Sequence, residues 1–344
     1  MKYDIITGNS FCEEIRLYYP SIDEAEDLHV SQIVNCVFNA FLSYNTVMLN
    51  IATIHAITKT SSLPKPLKTL LLSLAASDLG VGLLVQPLFI TLLIQWLKQL
   101  SPSCIIYTSF SVTMNLFFTA SFANIVGITL DRCLAIQLHL RYHTIVTHWR
   151  VIAVVIFIWL LSIFLSLRMF WLPSTIKYLV LAVAGILSVL VTTLLYIKIY
   201  LVLRRHRNQI QALQVQQTAQ NGERTANFAN LRRSAVGTFY VYLLFLLCYL
   251  PRFVLLITLH IYGPNIHLKS FSLCSLTLIF LNSSLNPFIY CWKMRNVRQS
   301  LMSILQDGLT TVTTVTTVTT VTKVSTVTTV NRNNSDNSEN IGEQ

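Results

Sequence analysis

Residues 151–167 read VIAVVIFIWLLSIFLSL, a run without a single charged side chain. A helix needs roughly 20 predominantly apolar residues to cross the hydrocarbon core of a bilayer. Trp149 and Trp171 stand at the two ends of this stretch, and tryptophan is enriched at both membrane–water interfaces. The stretch therefore predicts a membrane-spanning helix.

Six more stretches of this kind occur along the chain. The seven predicted spans are residues 32–57, 67–95, 104–138, 148–171, 178–203, 233–261 and 268–291. They lack the alternating period of membrane barrel strands, and the 344 residues include only 10 glycines and 9 prolines. The sequence thus predicts an all-α membrane protein, a bundle of seven transmembrane helices.

The composition excludes a soluble domain. Hydrophobic residues make up 53% of the chain and charged residues 11%, whereas soluble domains have about 25% charged residues. Seven of the 14 acidic residues lie among the first 27, and between residues 28 and 306 only Asp78, Asp131 and Glu223 remain. So few charges could not cover a surface that faces water.

The basic residues predict the orientation of the bundle. Of the 25 lysines and arginines, 18 fall in the loops, flanks and tail on one side of the predicted spans. Because basic loops stay in the cytoplasm, the N-terminus is expected outside a plasma membrane and the C-terminus inside. Residues 1–31 then form an acidic extracellular tail, residues 32–306 the membrane domain, and residues 307–344 a disordered cytoplasmic tail. Its Thr-Thr-Val repeat over 310–330 is either an expansion without function or a segment that kinases phosphorylate.

Asp78 lies in the middle of the second predicted span. An ionised carboxylate there is expensive unless something compensates its charge. Other spans offer polar but uncharged partners: Asn50, Ser121, Asn282, Ser283 and Asn286. The compensating charge is therefore a proton or a small cation. The residues alone leave two interpretations open, a neutral hydrogen-bonded carboxyl that helps packing and an ion site.

Prolines interrupt the last two spans. Pro251 lies in the sixth, and Pro287 lies in the seventh, within the sequence Asn286-Pro287-Phe288-Ile289-Tyr290. Proline has no N–H for the helix, so the helix kinks and a backbone carbonyl loses its donor. We expect Asn286 to bond the carbonyl that Pro287 frees.

Two features mark the predicted cytoplasmic face. Asp131-Arg132 closes the third span, and such a pair by itself is typical of an interfacial anchor. Residues 292–305 place apolar side chains near one helical face and basic ones opposite. That pattern predicts a short amphipathic helix on the inner leaflet after the seventh span.

Together these features resemble the class A, rhodopsin-like G-protein-coupled receptors over about residues 30–306. The matching elements are Asn50, LSLAASD ending at Asp78, Asp131-Arg132-Cys133, Trp159, Tyr196, Phe245 with Cys248-x-x-Pro251, and NPFIY at 286–290. Asn50 and Asp78 are 28 residues apart, the spacing that such receptors show. The order and spacing of the motifs across seven spans make the resemblance specific.

The resemblance implies a receptor that binds an extracellular ligand and activates a heterotrimeric G protein. Receptor kinases, arrestin and membrane lipids would be further partners, and no nucleic acid is expected. It implies Na⁺ as an allosteric ion, with no other cofactor, in a pocket formed by Asp78, Ser121, Asn282, Ser283 and Asn286. The coupling and activation residues would be Asp131, Arg132, Leu140, Tyr196, Phe245, Tyr249, Pro251, Pro287 and Tyr290.

The sequence departs from the family pattern at several of these positions. Cys133 replaces the motif tyrosine, and Tyr249 replaces the usual tryptophan at the base of the pocket. Leu231 stands where some members have a glutamate that pairs with Arg132, so raised basal activity is expected. Ser188 replaces the proline of the fifth span.

The cysteines point to one branch of the family. No cysteine occurs from Leu134 to Leu247, so the usual bridge to the second outer loop cannot form. Cys12 could pair with Cys104 or Cys274, or all three could be free thiols. The missing bridge, the short second outer loop and the absent proline resemble the melanocortin, lysophospholipid, cannabinoid and adenosine branch.

The expected ligand pocket is apolar, with one charge. Receptors for amines have an aspartate eighteen residues before the motif arginine, where this chain has Met114. By analogy the ligand-binding residues are Met114, Asn115, Phe118, Arg252, Phe253, Leu256, Leu276 and Phe280. Arg252 either binds a small anionic or lipid-like ligand, or snorkels outward or bonds backbone carbonyls.

Other functions fit the sequence less well. A transporter is disfavoured because neither an internal repeat nor paired intramembrane charges occur. An enzyme is disfavoured because no metal-ligand cluster, activated nucleophile or phosphate loop is present. A non-signalling decoy or scaffold remains open, because Tyr249 and Cys133 alter the activation motifs.

Overall fold

The computed structural model describes residues 22–60, 63–100, 103–138, 141–170, 172, 174–214, 222–263, 265–293, 298–299 and 302. Seven helices in these ranges are long and apolar enough to cross a membrane. They are α1 (Ile22–Lys59), α2 (Lys65–Leu97), α3 (Cys104–Leu138), α4 (His148–Leu167), α5 (Ser174–Gln214), α6 (Gly222–Tyr262) and α7 (Ile266–Lys293). The predicted seven-helix membrane bundle is confirmed.

Three helices extend well beyond the spans predicted from the sequence. α1 begins at Ile22, inside the segment that was expected to be an extracellular tail. The apolar part of α5 is Val183–Arg205, yet the helix continues to Gln214, and α6 begins at Gly222, ahead of its apolar part Ala235–Leu259. Helices α5 and α6 thus continue into the polar segment that separates the fifth and sixth predicted spans. The predicted amphipathic helix at 292–305 and the tail at 307–344 lie almost entirely outside the described residues.

Polar and apolar side chains are distributed opposite to their pattern in a water-soluble protein. Phe157, Leu160 and Phe164 are exposed on the outer surface of α4. Asn50 and Asn124 are fully buried between helices, in a bundle where α3 packs against α2, α4 and α5, and α7 packs against α1 and α6. A bilayer permits this arrangement, because lipid solvates apolar surface while polar groups bond one another inside.

A π-helical turn, Val81–Val85, interrupts α2 just before Pro87. Because Pro87 has no N–H, the Gly82 carbonyl five residues earlier receives no π-type bond from it. The Ser43 hydroxyl of α1 donates to that carbonyl at 2.8 Å. The irregular turn is thus satisfied by a neighbouring helix, as the membrane interior requires.

The carbonyl that Pro287 frees is bonded differently from our expectation. The missing bond belongs to the Ser283 carbonyl, four residues earlier. Asn50 of α1 donates to it from Nδ2 at 2.9 Å. The Asn286 amide points instead to Asp78. The prediction for Asn286 was wrong because it considered only α7 and not the helix packed beside it.

Candidate functional site

A cavity of about 320 Å³ opens between the helices at the end of the bundle where α1 begins. Seven of the eight ligand-binding residues expected from the sequence line it: Met114, Asn115, Phe118, Arg252, Phe253, Leu256 and Leu276. The eighth, Phe280, is fully buried and packs its ring against Phe89, with ring centroids 5.4 Å apart. Phe280 therefore lies in the packed core rather than on the described cavity wall.

The cavity is lined mainly by apolar side chains, as expected, but it has three basic residues where the sequence predicted a single charge. Arg252 of α6 donates from Nη1 to the Ser272 hydroxyl of α7 at 2.9 Å. Lys269 at the start of α7 and Arg168 at the end of α4 line the same cavity. None of the described residues around it is acidic. The arrangement gives the cavity a positive potential that attracts anions.

Arg168 lines the cavity, although it was not among the ligand-binding residues expected from the sequence. Its side chain is 4% exposed. It donates from Nη1 to the Leu165 carbonyl at 2.8 Å and from Nη2 to Asn115 Oδ1 at 3.4 Å. The available signal was its position directly after an apolar span, before a very short loop that cannot lift it far into water.

Aromatic rings form the inner end of the cavity. Tyr249 and Phe122 line it, with ring centroids 5.7 Å apart. Phe245 lies one helical turn deeper, stacked on Tyr249 at 3.8 Å and edge-on to Phe122 at 4.4 Å. Pro251 follows two residues after Tyr249 within α6. The cluster thus connects the cavity wall to the packed contact between α3 and α6. Phe122 is the member of this cluster that was not predicted from the sequence.

Asp78 of α2 is fully buried. Its Oδ2 accepts a hydrogen bond from Asn286 Nδ2 at 2.8 Å, which joins α2 to α7. Its Oδ1 has no hydrogen-bond partner among the described residues. The adjacent Ser77 hydroxyl lies 2.9 Å from that of Ser121 on α3. Three helices thus meet around this carboxyl.

Asn282 and Ser283, the other two residues of the expected ion pocket, are also buried on α7. Both polar side-chain atoms of Asn282 lack a hydrogen-bond partner among the described residues, as does Asn286 Oδ1. Buried polar atoms are rarely left unsatisfied unless a water or an ion meets them. This cluster contains the oxygen donors that a hard cation prefers.

Asp131 and Arg132 form a buried ion pair at the opposite end of the bundle. Their side chains are 4% and 2% exposed. Arg132 donates from Nε to Asp131 Oδ2 at 3.0 Å and also from Nη2. Tyr142, in the one-turn helix Tyr142–Ile145 between α3 and α4, donates to Asp131 Oδ1 at 2.6 Å. The carboxylate is thereby held from two sides.

Tyr142 belongs to this cluster but was not among the residues selected from the sequence. Its burial and the neighbouring Asp131 carboxylate raise the pKa of the phenol well above its ordinary range. The phenol therefore keeps its proton and acts as a donor. Leu140, the expected contact to a G protein, lies outside the described residues, as does the side chain of Leu231.

Tyr196 and Tyr290 face each other across a small void. Both are buried and line a space of about 10 Å³, roughly the size that holds one water. The Tyr196 hydroxyl accepts from Thr129 Oγ1 at 3.3 Å, and its ring stacks on Tyr242 at 5.1 Å. The two tyrosines expected to act together therefore share one internal space.

The structure decides part of the cysteine question. Cys104 is disulfide-bonded, so the alternative of three free thiols is wrong. Cys274 is a free, exposed thiol on α7, which removes it as a partner for Cys104 or Cys12. The sequence could not decide this because it does not show which outer cysteines lie close together. Cys12 itself lies outside the described residues.

Comparison with known proteins agrees with this architecture. Residues 49–176 and 169–290 match the family of 7 transmembrane receptors (rhodopsin family). The histamine H2 receptor of Canis lupus familiaris is 29% identical over 261 residues, which are 69% of each chain. The adenosine receptor A2b of Gallus gallus is 24% identical over 308 residues, 78% of this chain and 87% of that receptor. Melanocortin receptor 5 of Pan troglodytes is 29% identical over 280 residues, 77% of this chain and 82% of that receptor.

The family match spans most of the seven helices described above and includes the Asp78, Asp131-Arg132 and Asn286–Tyr290 motifs. Members of this family are receptors rather than enzymes. The chain therefore belongs to the rhodopsin family of seven-transmembrane receptors, the G-protein-coupled receptors.

Proposed function

We propose that this receptor lies in the plasma membrane with its N-terminus outside and activates heterotrimeric G proteins when a small anionic or lipid-like molecule binds Arg252. The observation that supports the proposal is the charge of the cavity. Arg168, Arg252 and Lys269 line it, and none of its described lining residues is acidic. An acidic group on a ligand would form charge-assisted hydrogen bonds with the Arg252 guanidinium.

The same observation speaks against an amine, although histamine H2 receptors are among the relatives. An ammonium group would need a carboxylate or an aromatic cage to compensate its desolvation. The third-helix position where amine receptors have an aspartate is Met114, which lines the cavity. Three basic side chains around the same space would repel a cation.

The aromatic cluster offers a route from ligand to helix movement. Phe118 and Tyr249 face the cavity with ring centroids 5.4 Å apart, and Phe245 stacks beneath Tyr249. Some ligands will fit the cavity better when these rings have moved. Such a ligand favours the position of α6 in which the rings have moved. It shifts the population toward that state by its difference in affinity for the two states. Opening α6 would then release Arg132 to meet a G protein.

Replacing Arg252 with glutamine tests the ligand proposal. We expect the potency of each acid that activates the wild type to fall by about tenfold or more, because a hydrogen bond to a charged group is lost. The measurement is G-protein dissociation in cells that express the receptor. The probes are lactate, decanoate and lysophosphatidate.

Lys98→Gln is the matched control, because Lys98 is an exposed basic residue at the end of α2 that does not line the cavity. It should leave potency unchanged. Unaltered potency of every active acid in Arg252→Gln would refute a ligand contact. Silence with every G protein despite normal surface expression would favour the non-signalling alternative.

We further propose that the Asp78 cluster holds Na⁺. Asp78 would supply the neutralising charge, and the buried oxygens of Ser121, Asn282, Ser283 and Asn286 would complete a polar shell. A bound cation compensates the buried carboxylate and ties α2 to α7. Such a cation stabilises the helix arrangement to which it binds more tightly.

Asp78→Asn is expected to remove a sodium dependence of stability. With Na⁺ at several times its dissociation constant, the wild type should gain about 1 kcal/mol, which is a few degrees in Tm. Thermal unfolding of the purified receptor in NaCl and in choline chloride measures the difference. Asp131→Asn, at the other end of the bundle, should keep the sodium effect. Equal sodium effects in wild type and Asp78→Asn would exclude this site.

A further inference from the structure

Arg168 is a buried cation that the proposed Arg252 contact does not use. Its two observed acceptors, the Leu165 carbonyl and Asn115 Oδ1, are both neutral. Its Nε is buried and has no hydrogen-bond partner among the described residues. The guanidinium is therefore oriented by the protein while one of its donors stays unsatisfied.

A buried charge needs a counter-charge. Removing an ion from water costs several kcal/mol, which neutral acceptors compensate only in part. The salt bridge found in the described part of the chain, Asp131–Arg132, is at the far end of α3 from Arg168. Because Arg168 lines the cavity, an anion inside the cavity could supply the counter-charge that none of the described lining residues provides.

Arg168 and Arg252 stand on different walls of that cavity. Arg168 follows α4, which packs against α2 and α3, and its side chain reaches Asn115 of α3. Arg252 lies on α6, which packs against α7, and its side chain reaches Ser272 of α7. Each guanidinium forms its hydrogen bond with a different neighbouring helix. The two guanidinium groups therefore share no acceptor.

Most of the side chains that line the cavity with the two arginines are apolar. Met114 and Phe118 of α3, Phe253 and Leu256 of α6, and Leu276 of α7 line the same cavity. These surfaces favour the hydrocarbon part of a ligand, because its burial removes apolar area from water. A cavity of about 320 Å³ is near the lower end of the range for ligand pockets, which suits a small molecule.

We infer that the ligand is a diacid, an apolar body with an acidic group at each end, one bound by Arg252 and the other by Arg168. This inference rests on the proposed anion contact at Arg252 and adds a second one. Asn115 and the Leu165 carbonyl hold the Arg168 guanidinium in place, so its ordering precedes ligand binding. Such preorganisation raises affinity because less side-chain freedom is lost on binding.

Matched pairs of acids test the inference on the purified full-length receptor in lipid nanodiscs. The probes are suberate, sebacate and dodecanedioate, each with its monoacid, octanoate, decanoate or dodecanoate. Decyl phosphate tests whether a single doubly charged head is preferred. Affinity is read from ligand-dependent thermal stabilisation in wild type, Arg168→Gln, Arg252→Gln and the control Lys98→Gln. Arg168→Lys keeps the positive charge at this position. If this variant is folded and still binds acids, a loss of binding in Arg168→Gln reflects the lost charge and not a loss of folding.

We expect at least one diacid to bind about tenfold or more tightly than its monoacid, because it makes a second charge-assisted contact. Arg168→Gln should abolish that advantage, because it weakens diacid binding far more than monoacid binding, and Arg168→Lys should retain part of it. Diacids that bind no better than monoacids, or an advantage insensitive to Arg168→Gln, would overturn the inference. Preference for decyl phosphate, lost in both arginine variants, would replace the diacid with a single head.

The same data separate this inference from the proposed function. If Arg252→Gln weakens monoacids but Arg168→Gln changes nothing, the Arg252 contact stands and the second contact fails. If neither variant changes the binding of any acid, or no acid binds the wild type, the anionic ligand itself fails.

Discussion

Asp131→Asn is expected to raise basal G-protein activation about tenfold. The carboxylate accepts two N–H groups of Arg132 and the hydroxyl of Tyr142. A hydrogen bond to a charged group contributes about 1.5–3 kcal/mol, so loss of the charge changes a two-state ratio by about tenfold or more. The population in which Arg132 is free to meet a G protein rises accordingly.

Tyr142→Phe should raise basal activation by a smaller factor, because it removes one donor and leaves the Asp131–Arg132 pair intact. Basal G-protein dissociation, normalised to surface expression, measures both variants. Arg132→Ala, alone or combined with Asp131→Asn, should be silent, which distinguishes release of Arg132 from a general loosening of the bundle. Tyr200→Phe on the outer surface of α5 is the matched tyrosine control. Wild-type basal activity in a well-expressed Asp131→Asn receptor would contradict the proposed restraint.

The Asp78–Asn286 pair shows which features of the candidate site can be predicted from sequence. Asp78 and Asn286 belong to motifs at recognisable places in two predicted spans, and they do form a hydrogen bond at 2.8 Å. A carboxylate and an amide in separate apolar helices must turn inward, because lipid offers them no partner. Their meeting therefore follows from polarity and position along the helix.

Tyr142 and Arg168 show what sequence does not predict. Tyr142 lies in the short helix after α3. Arg168 falls within the fourth span predicted from the sequence, but α4 ends at Leu167 and Arg168 begins the turn that follows. Both water and protein are available as surroundings at these two places. Their burial depends on how the chain turns between two helices. Hydropathy describes the interior of a span and contains no information on that turn, so both residues were missed.

The assignment of Asn50 illustrates a second limit. Sequence indicated that Pro287 frees a carbonyl, but the donor comes from α1, more than two hundred positions away in the chain. Which amide reaches the carbonyl depends on the rotation of α1 against α7. The same dependence on packing separates Phe280, buried against Phe89, from the apolar residues that line the cavity.

Gly80 lies against an aromatic ring that leaves no room for a side chain. It lies in α2, two positions after Asp78 and directly before the π-helical turn Val81–Val85. A Cβ placed there would lie 2.1 Å from Cε1 and 2.3 Å from Cζ of the Phe117 ring on α3. Phe117 is itself buried and packs edge-on against Trp159, with centroids 6.2 Å apart. The ring thus has little room to move aside.

Gly80→Ala is therefore expected to destabilise the receptor by about 3 kcal/mol, the upper end of the usual range for an overpacked core. The Tm of the purified receptor and the amount of receptor at the cell surface should both fall. Gly127→Ala on α3 is the matched control, because its nearest contact is the flexible end of Leu70 at 3.3 Å. In a Phe117→Ala background, which leaves a cavity where the ring stood, Gly80→Ala should change stability little. The effects of the two substitutions on stability should therefore be strongly non-additive if Gly80 is needed because α2 and α3 approach closely at this point. Equal losses in both backgrounds would show instead that Gly80 matters for the backbone of the π-helical turn.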